Sequence, residues 1–429
     1  MLIGFSFENV SSFKDAQNLS MEISELKKDS FLHKNTICIE NGTDLLKSIL
    51  IYGANASGKS NLIKAIEWFK AIVLFPKENI SENEITRVIP FILNEESLKK
   101  PSEFEIIFLE NNIKYRYGLS IFEGKILEEW LYFTQNRETL LFHRKDLTIE
   151  YNKSSFDEAK LFINHSNNHQ DGDKIERTSQ HIPFVSVLSF TNGFHSKNVT
   201  NFFEKIQSIS GVNDESLSNY TFRLAHNSPN FYQWLLTILN NFHIADLIIK
   251  EEETPTQSIE FPINESGEKI QLGFGIRKLN VRIKKYMNHS EEKVEIPIEL
   301  ESSGTRKIIH LLGPIYDSIQ KGNVLFVDEF DSKFHTLLSK YVFDIFHKYN
   351  KNSQLVVNVQ DANLMDTEHF RRDQIWFVDK NPVTQDSQLY SLSEYKINKQ
   401  KSYSQDYLNG AFDAIPLFSS IDEINSLME

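Results

Sequence analysis

Lys47 to Phe69 reads KSILIYGANASGKSNLIKAIEWF, a short β-branched run that passes through a glycine-rich turn into an amphipathic segment. Ile49 to Tyr52 are apolar, too few for a helix, and stop at Gly53, so they are expected to form a buried strand. Leu62, Ile63, Ala65, Ile66, Phe69 and Val73 recur at helical spacing, and the helix they predict runs to about Phe75, ahead of Pro76. Between strand and helix, Gly53-Ala54-Asn55-Ala56-Ser57-Gly58-Lys59-Ser60 meets every fixed position of G-x-x-x-x-G-K-[ST], the phosphate-binding loop or Walker A motif. In that arrangement the backbone N–H groups of Ala56 to Lys59 point at a β-phosphate, helped by the helix dipole. Lys59 is expected to neutralise the β- and γ-phosphates and Ser60 to carry Mg2+ on its hydroxyl. Gly53, Asn55, Ala56, Ser57, Gly58 and Asn61 complete the expected ATP cradle. A chance glycine turn before a helix is the alternative, and the agreement of strand, loop and helix argues against it.

The other half of the pattern lies far along the chain. Gly322-Asn323 is a turn, and Val324-Leu325-Phe326-Val327-Asp328-Glu329 is a buried strand ending in two carboxylates, the Walker B pattern. Asp328 is placed to hold the Mg2+ shell, and Glu329 to orient and activate an attacking water. Two adjacent acids can instead cap a following helix. Shortly before them, Glu301-Ser302-Ser303-Gly304-Thr305-Arg306-Lys307 opens a helix whose apolar stripe is Ile308, Ile309, Leu312 and Ile315. Ser302, Ser303 and Gly304 there form an anion nest, although Ser-Ser-Gly also serves as an ordinary helix cap. A plain AAA+ or RecA-type domain keeps its two Walker motifs close, whereas most of this chain separates them. Order and spacing resemble the ABC/SMC class, in which one protomer's signature helix completes the other's nucleotide site. A homodimer or higher homo-oligomer is therefore expected, and Asp331 to His335 stand at the D-loop position.

The 429 residues suffice for two or three domains, and nothing at the N-terminus combines a basic region, an apolar stretch and a cleavage site. No apolar run approaches the roughly 20 residues that span a bilayer. The single cysteine, Cys38, excludes an intramolecular disulfide framework and a multi-cysteine zinc site. A cytoplasmic protein with no membrane partner is expected. The formal charge of −13 opposes indiscriminate attraction to nucleic acid, so a DNA or RNA contact needs a local basic face. Arg277, Lys278, Arg282, Lys284 and Lys285 supply the one dense basic cluster, read either as a solvated strand face or as a nucleic-acid contact.

Taken in order, Leu2 to Val10 alternates apolar and polar residues, and Asn18 to Ser24 continues an extended pattern. Glu103 to Leu109, Lys114 to Phe122 and Glu128 to Phe133 read as an antiparallel set, with Leu140 to Tyr151 as a further extended segment. His165 to Asp173 reads as a solvated loop, with its two histidines and two aspartates as a weaker metal-ligand alternative. From Ile182 to about Ile249 the period is helical, with Val199, Phe202, Phe203, Ile206 and Ile209 in one stripe, and Glu251-Glu252-Glu253 with Pro255 mark a break. Leu279 to Tyr286 and Val294 to Leu300 return to strand. The expected fold is α/β: an ABC/SMC-like P-loop ATPase core with an antiparallel β subdomain and a helical insertion. It divides into 1–155, with Walker A; 156–290, a mainly helical insertion, lid or dimerisation region; and 291–429, with the signature, Walker B, D-loop and tail.

Several segments together resemble the AAA-type ATP-binding proteins of the RloA/AbiLi kind, relatives of the OLD-family and PARIS AriA ATPases of phage defence. They are Asn9 to Phe13, Gly53 to Asn61, Tyr115 to Gly118, Ala245-Asp246, Glu301 to Arg306, Asp328-Glu329, Arg371 to Phe377 (RRDQIWF) and Tyr407 to Pro416 (YLNGAFDAIP). The resemblance spans nearly the whole chain and implies a separately encoded effector, such as an RloB-type or Toprim nuclease or toxin. Three positions depart from it. Ser11 stands where an arginine is usual, Asp413 where a glycine is, and Gln360, after the strand Gln354 to Val359, where a histidine is. In ABC-type sites that histidine helps arrange the attacking water, so Gln360 is a candidate catalytic position with a weaker group, and weak basal hydrolysis is expected. No Q-loop is placed.

The expectation is an ATPase that dimerises around ATP and restrains or licenses a toxic or nuclease effector in antiviral defence by abortive infection. A RecF-like DNA-repair ATPase gripping DNA through the basic strand, and a nucleotide-gated scaffold with negligible turnover, are the alternatives.

Overall fold

Alternation of apolar and polar residues builds the first sheet. The computed structural model describes residues 1–24, 33–40, 42–78, 88–164, 173–175, 178–210, 214–253, 257–262, 269–274, 277–396 and 402–416. Strand Leu2–Glu8 buries Leu2, Phe5 and Phe7 and pairs antiparallel with Gln17–Ser20 on one side and Ser102–Glu110 on the other. The expected antiparallel set follows as Ser102–Glu110, Ile113–Phe122 and Lys125–Thr134. Leu140 to Tyr151 is a hairpin and not one extended run: Glu138–Lys145 and Thr148–Tyr151 reverse at Asp146, whose φ is +51°. With Ile163–Asn164 and Asp173–Ile175 these strands make a nine-stranded antiparallel sheet among the described residues. Most of the polar stretch read as a loop or metal alternative, His165 to Gly172, lies outside the described residues.

The phosphate-loop helix, Lys59–Glu78, packs Phe69 against this sheet, 5.3 Å from Phe104 and 5.8 Å from Tyr117 between ring centroids, and 4.9 Å from Phe203. The helix runs past Pro76 to Glu78, so the proline, which donates no backbone hydrogen bond, falls inside its last turn. Helices Phe184–Phe190 and Phe194–Lys205 pack beside it. Their N-termini are held by acids: Glu129 accepts from the N–H groups of Phe184 and Val185 (2.7 and 3.1 Å), and Glu158 from those of His195 and Ser196 (2.9 and 3.0 Å). Burial pushes the Glu129 carboxyl up, while Arg144, 3.3 Å away and equally inaccessible, holds it down.

Ile206 and Ile209, counted by spacing into a helical stripe, stand in a strand, Ile206–Ile209, which runs parallel to Val324–Val327. That strand edges a second sheet, ordered Ile206–Ile209, Val324–Val327, Gln354–Asn358, Ser48–Tyr52, Ile375–Lys380, Ser387–Ser391. Its first five strands are parallel and the last antiparallel. Their near-continuous burial is the signature of a parallel sheet covered on both faces. Gln354 ties the two sheets together: its side chain accepts from Leu2 N–H at 2.6 Å and donates to Leu2 O at 2.8 Å.

By contacts the chain divides into Met1–Gly211 with Ser318–Glu429, and Val212–Asp317, and not at 155 and 290. The shift arises because residues 182–209 pack into the first core and pair with the Walker B strand. The second unit holds helices Asp214–Asn227 and Pro229–Leu239, the hairpin Gln257–Pro262 with Lys269–Phe274, and a three-stranded antiparallel sheet of Asp246–Glu253, Arg277–Tyr286 and Lys293–Pro297. Glu251 to Glu253, expected to mark a break, continue a strand opposite Leu279, Lys278 and Arg277. Val294 to Leu300 is strand only to Pro297, then a 3-10 turn, Ile298–Leu300. Phe231, Trp234 and Tyr316 cluster within this unit, Tyr316 lying 4.9 and 5.0 Å from the other two.

Candidate nucleotide site

Parallel strands bring their C-terminal ends to one edge, and a ligand of such a sheet sits beyond that edge. Here Ser48–Tyr52, Val324–Val327 and Gln354–Asn358 are consecutive in the sheet, with Gln354–Asn358 between the two Walker strands. Gly53, Asp328 with Glu329, and Gln360 therefore emerge at the same edge. Val359 N–H donates to Ile51 O and Phe330 N–H to Asn358 O, both at 3.0 Å, which fixes the register of the three ends.

The loop itself depends on two glycines. Gly53 presses on the neighbouring strand, where a Cβ would meet Val378 O at 2.3 Å. Gly58 has φ +115°, and a Cβ there would stand 2.6 Å from both Ser12 Oγ and Ser387 Oγ. Those serines support the loop from behind: Ser387 Oγ donates to Ser57 O at 2.5 Å, Asn61 Nδ2 to Ser12 Oγ at 2.9 Å, and Ser387 N–H to Ser12 O at 2.8 Å. Lys59 Nζ donates to Gly53 O and Ala54 O at 2.6 and 3.0 Å. Burial pushes this ammonium below its ordinary range, while Asp328, Asp331 and Glu329 pull it up.

Asp328 is oriented by Asn358, whose Nδ2 donates to Oδ1 at 2.7 Å, and by Glu329 N–H at 3.1 Å. Glu329 has φ +49°, an uncommon conformation for a non-glycine residue, and its side chain is exposed. Gln360 is exposed, and its backbone N–H donates to Asp331 Oδ2 at 2.8 Å; Asp361 N–H donates to the same oxygen at 2.6 Å. Asp331 thus braces the segment after the middle strand. Ser60 and Asp328 offer a hydroxyl and a carboxylate, the hard oxygen donors that suit Mg2+, which takes its remaining ligands from phosphate and water. Asp331 Oδ1 and Asn358 Oδ1 are buried with no hydrogen-bond partner among the described residues, polar capacity consistent with an ion and its waters.

Ser302, Ser303 and Gly304 belong to the second unit. Ser302 caps the helix Ser303–Lys321 by accepting from Thr305 N–H at 3.1 Å, and Ser302 and Ser303 are exposed. Of the basic cluster, Lys284 pairs with Asp246 (3.1 Å), Lys285 with Glu301 (2.5 Å) and Arg282 with Glu295 (3.7 Å). Much of its charge is therefore spent within the unit.

The RRDQIWF segment anchors the Walker A strand from below. Arg371 forks onto Asp373 (2.9 and 2.7 Å), and Gln374 Nε2 donates to Ser48 O and Oγ at 3.1 and 2.9 Å. Ser48 Oγ lies 2.8 Å from His347 Nε2, and Lys47 Nζ donates to His347 O at 2.8 Å. Burial, with Lys47 adding to it, pushes the His347 imidazole down to about 3, which keeps it neutral beside Ser48. Asp413 has φ +52° and Ser11 φ +53°, left-handed positions occupied here by short polar side chains. Sequence reasoning placed Asp331 at the D-loop position and Ser12 in the Asn9 to Phe13 segment without giving either a role here, and it missed Asn358 and Ser387; the polar Asn358 at the end of an apolar strand was a visible signal.

Among the described residues no helix is long and apolar enough to cross a membrane, and no cluster of three or more His, Cys, Asp or Glu forms a metal cage. No curated protein matches the chain. Solved structures similar to it include an SMC head bound to the C-winged helix domain of ScpA, at 12% identity over 91% of this chain and 97% of that one, with TM-score 0.43. The SMC head domain from Thermotoga maritima is 13% identical over 92% and 99%, with TM-score 0.40. The Smc head with an extended coiled coil bound to the C-terminal domain of ScpA from Pyrococcus furiosus is 12% identical over 91% and 96%, with TM-score 0.38. Residues 48–366 match the family described as AAA domain, putative AbiEii toxin, Type IV TA system, and the chain belongs to that family.

Proposed function

We propose that this protein binds ATP with Mg2+ beyond the strand ends at Gly53, Asp328 and Gln360, hydrolyses it slowly, and associates with a second copy when ATP is bound. The observation that carries the reading is the arrival of Walker A, Walker B and the Gln360 segment at one edge of one sheet. Lys59 leaves its loop carbonyls to meet the β- and γ-phosphates, and the N–H groups of Ala56 to Lys59 hold the β-phosphate. Ser60 and Asp328 would hold the metal, which would supply positive charge against the phosphates. Glu329 takes the proton of the attacking water, while Gln360 donates an amide N–H toward the γ-phosphate but relays no proton. Ser302, Ser303 and Gly304 meet the nucleotide of the second copy. The two-state association then restrains or licenses a separately encoded toxic or nuclease effector, a reading supported by the toxin–antitoxin description of the family. The effector is engaged in abortive defence against phage.

Steady-state hydrolysis and sedimentation with a non-hydrolysable ATP analogue test this together. Glu329→Gln is expected to lower turnover about 10²–10⁴-fold while ATP binding and ATP-dependent association remain. Turnover at the wild-type rate would leave Glu329 a turn residue, and a wild-type chain that stays monomeric with the analogue would remove the association.

A further inference from the structure

Beyond the antiparallel edge strand, helix Tyr403–Leu408 ends in a tight reversal through Gly410, Asp413 and Ala414, with φ +79°, +52° and +51°. Gly410 N–H donates to Tyr407 O and Ala411 N–H to Asp406 O, both at 2.9 Å. Two adjacent left-handed residues that are not glycine persist only where surrounding contacts hold them. The contacts here are aromatic. Tyr407 lies 5.8 Å from Tyr52 and 5.6 Å from Phe377, and Phe412 lies 5.5 Å from Phe377. Tyr407 OH donates to Ala414 O at 3.1 Å, closing the hook, and Tyr390 OH donates to Phe412 O at 2.8 Å, tying its far side to the sheet.

Tyr52 is the last residue of the Walker A strand, so Tyr407 is stacked where the phosphate loop begins. Gly53 follows Tyr52 directly, so the Tyr52–Tyr407 ring pair backs the residue from which the loop departs. The same short helix packs against the turn Ala362–Leu364, directly after Gln360 and Asp361. One element therefore touches both the start of the phosphate loop and the segment beyond the middle strand.

We infer that Tyr407 is a positioning residue for nucleotide binding: the 402–416 hook holds Gly53 and the Gln360 segment in the geometry that accepts ATP. This rests on the ATP reading above. The Tyr407 ring backs Tyr52, the residue before Gly53, and Lys59 contacts the carbonyls of Gly53 and Ala54, so a displaced strand end displaces the lysine as well. The effect falls mainly on affinity and KM, because the loop and Lys59 are the groups that receive the phosphates.

The test uses the full chain, a fluorescent ATP analogue, steady-state hydrolysis and thermal unfolding. Tyr407→Leu removes the ring that backs Tyr52, and should weaken ATP binding and raise KM about three- to tenfold, the range of an aromatic pair, with kcat nearly unchanged. Tyr390→Phe loosens the other side of the hook without reaching Tyr52; it should lower the thermal midpoint while leaving ATP affinity within about twofold. Gly410→Ala strains the hook with the ring in place and should shift affinity in the direction of Tyr407→Leu. Tyr407→Leu with wild-type affinity, or Tyr407→Leu and Tyr390→Phe shifting affinity in step with stability, overturns the inference alone. A wild-type chain that does not bind the analogue overturns the ATP reading and this inference with it.

Discussion

Helices Phe184–Phe190 and Phe194–Lys205 each open on a glutamate carboxylate brought from elsewhere in the chain, whereas the phosphate-loop helix Lys59–Glu78 opens with no acid in its first turn. All three face the same problem, since the first N–H groups of a helix have no helical partner and carry the positive end of its dipole. At the first two helices the answer is built in. Glu129 is balanced by Arg144 and supplied with a third donor, Tyr117 OH at 3.1 Å. At the phosphate loop the nearby carboxylates, Asp328, Asp331 and Glu329, act on Lys59 and belong to the neighbouring strand ends. An acid within that first turn would repel phosphate. The same dipole thus serves packing where the chain provides the anion, and recognition where a ligand provides it.

The sharpest break of this comparison is at the sealed end. Glu129→Ala leaves Arg144 buried without its counter-charge and is expected to cost about 3–5 kcal/mol in urea unfolding, with unchanged ATP affinity of the folded fraction. A loss below about 1 kcal/mol would make the seal incidental. Lys59→Ala is its mirror image. ATP affinity should fall by about 2–4 kcal/mol, while the thermal midpoint stays near wild type, because Lys59 bonds only to its own loop. Equal affinity would end the phosphate-loop assignment.

His347 gives a smaller, pH-dependent effect. Its folded-state value of about 3 lies below the unfolded value of about 6.5, so as pH falls the unfolded chain takes up the proton first. Stability from this group is full above about pH 6.5 and falls by about 1.4 kcal/mol per unit below it. His347→Gln should flatten the fall in unfolding midpoint between about pH 6.5 and 5; an unchanged slope would place the acid sensitivity elsewhere. The smallest effect concerns the exposed Gln360. Gln360→His restores a group able to relay a proton and should raise turnover a few-fold, by less than about 1.4 kcal/mol in barrier. No response in steady-state assays would remove this side chain from the chemistry.

Walker A was legible because strand, glycine loop and helix are contiguous and each carries its own period. Walker B was legible because four apolar residues end at two acids. Ile206–Ile209 was not, since apolar residues at i and i+3 fit a helical stripe as well as a short strand, and only pairing with Val324–Val327 decides between them. Glu251 to Glu253 looked like a break because repeated acids disfavour both helix and strand, yet Asn280 Nδ2 donates to Glu252 Oε1 at 2.6 Å across the ladder. The supports of the site, Asp331, Asn358, Ser12 and Ser387, act on residues remote in sequence, so even where a motif marked the position, as at Asp331 and Ser12, no local pattern gave the role. The tail motifs were visible as motifs, but their roles, an anchor under Ser48 and a hook at Gly53, emerge only when both ends of the chain share a sheet.

The neighbours of the Walker A strand also set an order of assembly. Ser48–Tyr52 pairs with Gln354–Asn358 and Ile375–Lys380, both from the far end of the chain, whereas the meander from Ser102 to Tyr151 pairs strands adjacent in sequence. During synthesis the meander can form as soon as it leaves the ribosome, but the strand that carries the phosphate loop waits, unpaired on both sides, until the strands Gln354–Asn358 and Ile375–Lys380 have emerged. A chain terminated before those strands therefore carries the Walker A sequence without the sheet that would display it.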